Sequence, residues 1–277
     1  MSNAIADAAP EGSSDLLSIE RREDLLLATL NDPDRANALS PALIDRLTEL
    51  YRRDLRSEGV RAVVLGGAGR HFSAGADLAH LESLRDAGRE ENRCDSERLR
   101  DLFAAILRQP ALTVAAVHGA CVAGGCGVAT AHDFVVACED SRFLYSEVRI
   151  GFVAALVATF LPLRLRGRDL REVLLNPEFV PAPRALEIGL INRLAPAGGA
   201  EEAGQTARDL AVDVLRRASS ESIARTKTLL LDLVGKPLDD ALTLAAEVNA
   251  DTRLTDDCRH GIATFLATKK PPDWRPE

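Results

Sequence analysis

Apolar and polar positions change period several times along the chain, and the changes mark elements. From Asp24 the run DLLLATLN is continuously apolar and stops at Asn31-Asp32-Pro33, which predicts a short buried strand. Ser40-Pro41 predicts a helix start, with serine as N-cap and proline at the first helical position, where a missing N–H is no loss. Leu43, Ile44, Leu47, Tyr51 and Leu55 follow at helical spacing until Gly59, and RAVVLGG (61–67) predicts a second buried strand. Residues 85–96, RDAGREENRCDS, are dense in charge and poor in apolar anchors. They read as a solvated loop or helix face, with a mobile flap over a site as the alternative. Arg98 to Gln109 predicts an amphipathic helix carrying Leu99, Leu102, Phe103, Ile106 and Leu107, closed by Pro110. LTVAAVHGA (112–120) and FVVAC (134–138) predict a third and a fourth strand, with the small residues of VAGGCGVATA between them. After Pro183 the texture is helical, over 183–189, 201–217, 220–233, 238–250 and 255–268. Strands first and helices after predict an α/β core with a helical C-terminal part.

Composition narrows the function classes. The 277 residues suffice for one large core without disulfide staples. The expected division is a flexible tail over 1–15, a core over 16–200 and a helical region over 201–277. With 34 Lys+Arg against 42 Asp+Glu the net charge is −8, which argues against nucleic acid as a partner of the whole surface. A local basic pocket for a phosphorylated group remains open. Five cysteines, an odd number without zinc spacing, read as reduced core thiols. The start lacks the basic and apolar regions of a signal peptide, and no run reaches the ~18 apolar residues of a membrane span. A cytoplasmic protein without membrane partners is expected.

Candidate chemistry centres on two small-residue turns that follow apolar strands. The first is Phe72-Ser73-Ala74-Gly75-Ala76-Asp77-Leu78 and the second Ala123-Gly124-Gly125-Cys126-Gly127. Small residues there allow close approach of a ligand and leave backbone N–H groups free at a helix start, where partial positive charge favours an anion. Two such turns facing one point would form an oxyanion hole. Either alone reads first as tight packing. The dinucleotide fingerprint, the phosphate loop ending in Gly-Lys-Ser/Thr and the nucleophile elbow are all missing. Cys126 has no evident histidine partner. The five histidines, His71, His80, His118, His132 and His260, show no metal-ligand spacing, so no metal is expected.

Six stretches taken together resemble the crotonase family of enoyl-CoA hydratases and isomerases. They are ANALS (36–40), RAVVLGGAGRHFSAGADL (61–78), VAAVHGACVAGGCGVATAHD (114–133), SRFLYSEVRIGFV (141–153), ALEIGLINRLAP (185–196) and GIATFLATKKPP (261–272). They occur in the family's order and span about residues 16–272. The resemblance implies a ββα-spiral core with a helical C-terminal trimerisation region, assembled as a homotrimer or a dimer of trimers. It implies an acyl-CoA thioester as substrate, coenzyme A entering as part of that substrate, and no prosthetic group. Its carbonyl would sit between the N–H groups of Ala76 and Gly124. The CoA end would lie along Arg35, Ala36, Ala74, Gly75, Asp77 and Leu78, with Phe265 and Lys269 completing it, from a neighbouring subunit in the assembly. Lys269 is one residue off the family's usual lysine spacing, where Thr268 stands.

The resemblance also assigns an acid. Hydratases of this family carry two glutamates, one after the second glycine turn and one in the following strand-turn segment. Here the first place holds Gly127 and the second Glu147. Glu147 would shuttle a proton at the carbon next to the thioester; the competing reading is a surface ion pair with Arg149. With one acid, the expected reaction is hydration of a 2-enoyl-CoA, followed by 3-enoyl to 2-enoyl isomerisation, and then a catalytically silent CoA-ester-binding protein. EVRIGFVAALVATFL (147–161) resembles a single-glutamate subgroup associated with branched substrates such as methylglutaconyl-CoA. The family's usual Pro-Gly-x-Gly-Gly after the acid is replaced here by Val153-Ala154-Ala155-Leu156.

Overall fold

A computed structural model describes residues 16–275; the expected tail over 1–15 lies outside the described residues. Strands β1 (Leu17–Arg22) and β2 (Leu25–Leu30) form an antiparallel hairpin that turns at Glu23, which has a positive φ of 56°. The sequence pattern shows only β2, because β1 is an edge strand with a single buried residue, Leu17. Helix α1 (Pro41–Arg52) starts as expected, with the Ser40 hydroxyl accepting from the Leu43 N–H at 3.3 Å. Strand β3 (Ala62–Gly67) follows, then short α2 (Leu78–Ser83) and long α3 (Arg89–Arg108).

Most of the charged 85–96 stretch is thus the first half of α3. Arg93 there pairs with Glu90 and Glu97, three and four residues away, as on a solvated helix face. His80 of α2 reaches Asp95 of α3 at 2.6 Å and ties the two helices together. The run 112–120 divides at Gly119 (φ 58°) into β4 (Leu112–Val117) and β5 (Ala120–Val122). A Cβ at Gly119 would stand 2.2 Å from the Arg70 carbonyl oxygen, so glycine is required there.

Helix α4 (Gly124–Ala131), β6 (Phe134–Cys138) and β7 (Arg142–Leu144) come next. After them stand α5 (Gly167–Leu175), β8 (Val180–Pro181), α6 (Ala182–Glu187) and β9 (Arg193–Ala195). The main sheet has six strands in the order β1-β2-β3-β4-β6-β9, parallel from β2 onward. A second sheet of three strands, β5-β7-β8, stands beside it.

The strands that look uniformly apolar are so because both sheet faces are covered. Val63, Leu65, Ala115, Val117 and Val135 point into a core with α1, α3 and α4. Their neighbours Ala62, Val64, Val114, Ala116 and Val136 meet α7 (Ala200–Arg217) through Ala203, Ala207, Leu210 and Ala211. Alanines on α7 let the helix lie close to the sheet. The C-terminal helices α8 (Ser220–Asp232), α9 (Leu238–Thr252) and α10 (Asp256–Thr268) follow the expected bounds within a residue or two. Of these three helices only α8 buries a residue, Ala224. The chain end returns to the sheet, where Arg275 pairs with Asp24 at 2.8 Å. Among the described residues no helix is long and apolar enough to cross a membrane.

Candidate active site

The first turn is held in place by side chains buried behind it. Asn37 is fully buried, and its amide nitrogen donates to the carbonyls of Ala68, His71 and Phe72 at 2.9–3.1 Å. Its Oδ1 accepts from the Asp32 N–H, so one side chain joins the 32–37 loop to the start of the first turn. Ser73 adds a bond from its hydroxyl to the Asn37 carbonyl, at 2.8 Å. The Gly75 carbonyl takes the Leu39 N–H at 2.7 Å, while Ala74 donates to Ala36 at 2.8 Å. In this arrangement Gly75 and Asp77 are buried, and Ala74, Ala76 and Leu78 face outward.

The second turn packs directly on the first. Ser73 bridges to Cys121 of β5, which leads into that turn. At Gly75 (φ 85°) a Cβ would lie 2.6 Å from the Val122 carbonyl oxygen and 3.0 Å from the Ala123 Cβ. At Gly125 it would lie 2.8 Å from the Ser73 Cβ. Larger residues would therefore push the two turns apart. Ala123 sits at φ 46°, ψ −119°, a conformation that an alanine adopts only under constraint from its surroundings. Gly124 follows as the first residue of α4, so its N–H has no carbonyl one turn back to bond. No main-chain carbonyl among the described residues takes the Ala76 N–H either. Two free donors thus stand on turns that touch.

The acid is joined to this pair by the backbone. Ala123 donates its N–H to the Leu144 carbonyl at 2.7 Å, tying the end of β7 to the residue before Gly124. Three residues on, Glu147 opens a 3-10 turn over Glu147–Ile150. Its Oε2 is buried without a hydrogen-bond partner. Burial raises the proton affinity of this carboxyl, against a smaller opposing effect of nearby backbone N–H groups. The competing ion pair with Arg149 does not form: that guanidinium donates to the Pro177 carbonyl instead.

A side chain at Gly127 would meet packed hydrocarbon. A Cβ there would lie 2.5 Å from Phe103 Cζ and 2.8 Å from Val157 Cγ1. Phe103 is itself wedged edge-on against Phe160, with ring centroids 5.5 Å apart. The position where the resemblance expects a second acid is therefore bordered by hydrocarbon from α3 and the Val157–Thr159 turn. Sequence spacing puts Phe103 on the inner face of its helix but cannot say which turn it meets.

Of the residues expected at the CoA end, Arg35 pairs with Asp77, and Asp77 also caps α2 through the Ala79 N–H at 3.0 Å. That guanidinium holds the Asp77 carboxyl below the usual range for an aspartate. Ala36 lies beside them with a positive φ of 50°. Phe265 and Lys269 are exposed on and just after α10; no hydrogen bond or ion pair among the described residues ties either to the turns around Glu147. Cys126 is fully buried, and its thiol donates to the Cys121 carbonyl at 2.9 Å.

Known proteins resemble this chain in sequence and in fold. The sequence profile of the family described as Enoyl-CoA hydratase/isomerase matches residues 20–276. A Thermus thermophilus protein named "Putative enoyl-CoA hydratase" is 46% identical over 88% of this chain and 94% of its own length. The human mitochondrial Delta(3,5)-Delta(2,4)-dienoyl-CoA isomerase is 31% identical over 95% of this chain and 82% of its own. The crystal structure of an enoyl-CoA hydratase from Mycobacterium smegmatis superposes with a TM-score of 0.84 at 30% identity, covering 94% of this chain and 98% of that one. Continuous sequence similarity and a shared fold agree with the touching glycine turns, and the chain belongs to the enoyl-CoA hydratase/isomerase, or crotonase, family.

Proposed function

We propose that this chain hydrates a 2-enoyl-CoA thioester, with Glu147 as the one acid/base and the N–H groups of Ala76 and Gly124 as the oxyanion hole. The observation that carries the reading is the buried, unpartnered Glu147 Oε2, held by β7 beside the turn that begins α4. As a carboxylate, Glu147 takes a proton from water while the water oxygen bonds to carbon 3. The carbon–carbon π pair then moves toward the thioester, and negative charge grows on the carbonyl oxygen between the two N–H donors. Collapse of that enolate draws the same proton from Glu147 to carbon 2. One carboxyl group thus serves both halves of the addition. Losing one oxyanion donor typically costs ~10²–10³ in rate.

The CoA end is proposed to follow the outward-facing Ala74 and Leu78 past the buried Gly75, with Arg35 held there by Asp77 and Ala36 alongside. Phe265 and Lys269 would be supplied by α10 of a neighbouring copy in a homotrimer. The plugged site at Gly127 favours a second reading. A shift from 3-enoyl to 2-enoyl thioester needs only one base that removes and returns a proton, and no water has to be positioned. Decay of enoyl absorbance with crotonyl-CoA supports hydration; a rise with 3-hexenoyl-CoA alone supports isomerisation. Binding of CoA esters with neither change would identify a silent binding protein. Glu147→Gln is expected to lower turnover by at least about 10²-fold while CoA-ester binding stays near native. Retained turnover in that variant would remove Glu147 from the mechanism.

A further inference from the structure

A cavity of about 460 Å3 opens between the C-terminal end of α4, the Leu161–Leu163 turn and α8, and none of the candidate active-site residues lines it. Its polar wall is Asp133, Arg164, Asn192 and Lys227. Lys227 is largely enclosed, with 12% of its side chain exposed, and it donates to Asp133 Oδ2 at 2.6 Å and to the Ala111 carbonyl at 2.8 Å. The same Asp133 oxygen accepts the N–H and the hydroxyl of Thr113. Asp133 thus answers one cation, Lys227, through an oxygen that accepts three hydrogen bonds.

Arg164 is the second cation, and no carboxylate lies within ion-pair reach of it among the described residues. One guanidinium nitrogen donates to the carbonyls of His132 and Asp133. Its other N–H groups meet no acceptor among the described residues, and neither does the Asn192 amide nitrogen, although Asn192 Oδ1 accepts from Val135 at 2.8 Å. His132 adds no charge of its own. Its Nδ1–H donates to the Val128 carbonyl, its Nε2 accepts the Tyr51 hydroxyl at 2.6 Å, and burial holds its pKa down at about 3. Burial likewise weakens proton binding by Lys227 and Arg164, against an opposing effect of the nearby Asp133 carboxylate. Around these groups stand Leu107, Phe160, Leu163, Leu230 and Leu231.

We infer that this cavity binds a monocarboxylate with a short apolar tail, its head on Arg164 and Asn192 and its chain against Phe160 and the leucines. The excess of one positive charge matches one negative charge. A guanidinium fork fits a carboxylate in two parallel hydrogen bonds. The volume lies within the range of small-molecule pockets.

Calorimetric titration of the full chain with acetate, butyrate, hexanoate and hexan-1-ol tests this. The expected result is one site per chain, with each added methylene tightening binding about three- to fourfold and hexanol far weaker than hexanoate. Arg164→Met should weaken hexanoate at least tenfold and Arg164→Lys should fall between, while turnover of enoyl-CoA stays unchanged. Asn192→Asp keeps the acceptor for Val135 and adds a repelling charge, so it gives a second, independent loss should Arg164→Met fail to fold. Absence of hexanoate binding, equal binding of hexanol, affinity independent of tail length, or full binding by a folded Arg164 or Asn192 variant would each overturn the assignment.

Discussion

At Glu147, function and stability pull in opposite directions. The carboxyl is more easily protonated in the folded chain than an ordinary glutamate because burial disfavours its charge. A raised folded-state pKa contributes stability that is complete below the unfolded value and is lost as pH rises through the folded value. At neutral pH the ionised side chain is therefore a cost. Glu147→Gln should remove both the activity and the cost, so its melting temperature should equal or exceed that of the native chain, by about 2–4 °C for each kcal/mol relieved. The same shift places the acid limb of kcat/KM above the range of an exposed glutamate, since hydration begins with the carboxylate. A limb at an ordinary glutamate pKa, or a Gln variant that melts lower, would contradict this account of the site. The sequence made Glu147 visible through its motif. Asn37 stood in plain sight in ANALS without any sign of its task, because its three carbonyl partners lie more than 30 residues away.

Among elements, what could be read from pattern alone depended on burial. Strands covered on both faces and helices with an apolar stripe announced themselves, as β3, β4, β6 and α7 do. Two with little buried surface did not, since β1 turns one residue inward and α5 buries only Asp169 and Val173, whereas α9 and α10 were legible from their helical spacing although they bury none. The start of α3 was ambiguous for the same reason, since its first two turns face water. Contacts between elements were out of reach, and the one at Gly127 matters most for chemistry. Gly127→Glu would drive a side chain into Phe103 and Val157 and bury a carboxylate in hydrocarbon. It should destabilise the fold by about 3 kcal/mol or more. Combining it with Phe103→Ala opens room, and a good part of that loss should return in thermal melts. Hydration of crotonyl-CoA should then exceed that of the single Phe103→Ala variant. Unchanged stability in Gly127→Glu alone would show that the apolar plug yields more easily than its packing suggests.

For the whole molecule, the sheet and its two cores are complete within one chain, but the C-terminal helices are not. Leu238, Leu242, Leu254, Ile262 and Leu266 are each more than half exposed, and α9 and α10 bury no residue at all. Scattered single leucines are ordinary on a surface, whereas this many on and between two successive helices mark an interaction face. The proposed homotrimer supplies the missing cover from copies of the same chain. Ile262 and Leu266 stand four residues apart on α10, hence on one face, with Phe265 between them in sequence and Lys269 just beyond. Sedimentation should give three chains, or six, for the native protein, and Ile262→Glu with Leu266→Glu should dissociate it. Because Phe265 and Lys269 are proposed to reach the CoA end of a neighbour, dissociation should raise KM for the thioester more than it lowers kcat. A native protein that sediments as one chain would refute the assembly. A dissociated variant with native KM would instead leave the assembly standing and remove α10 from the substrate site.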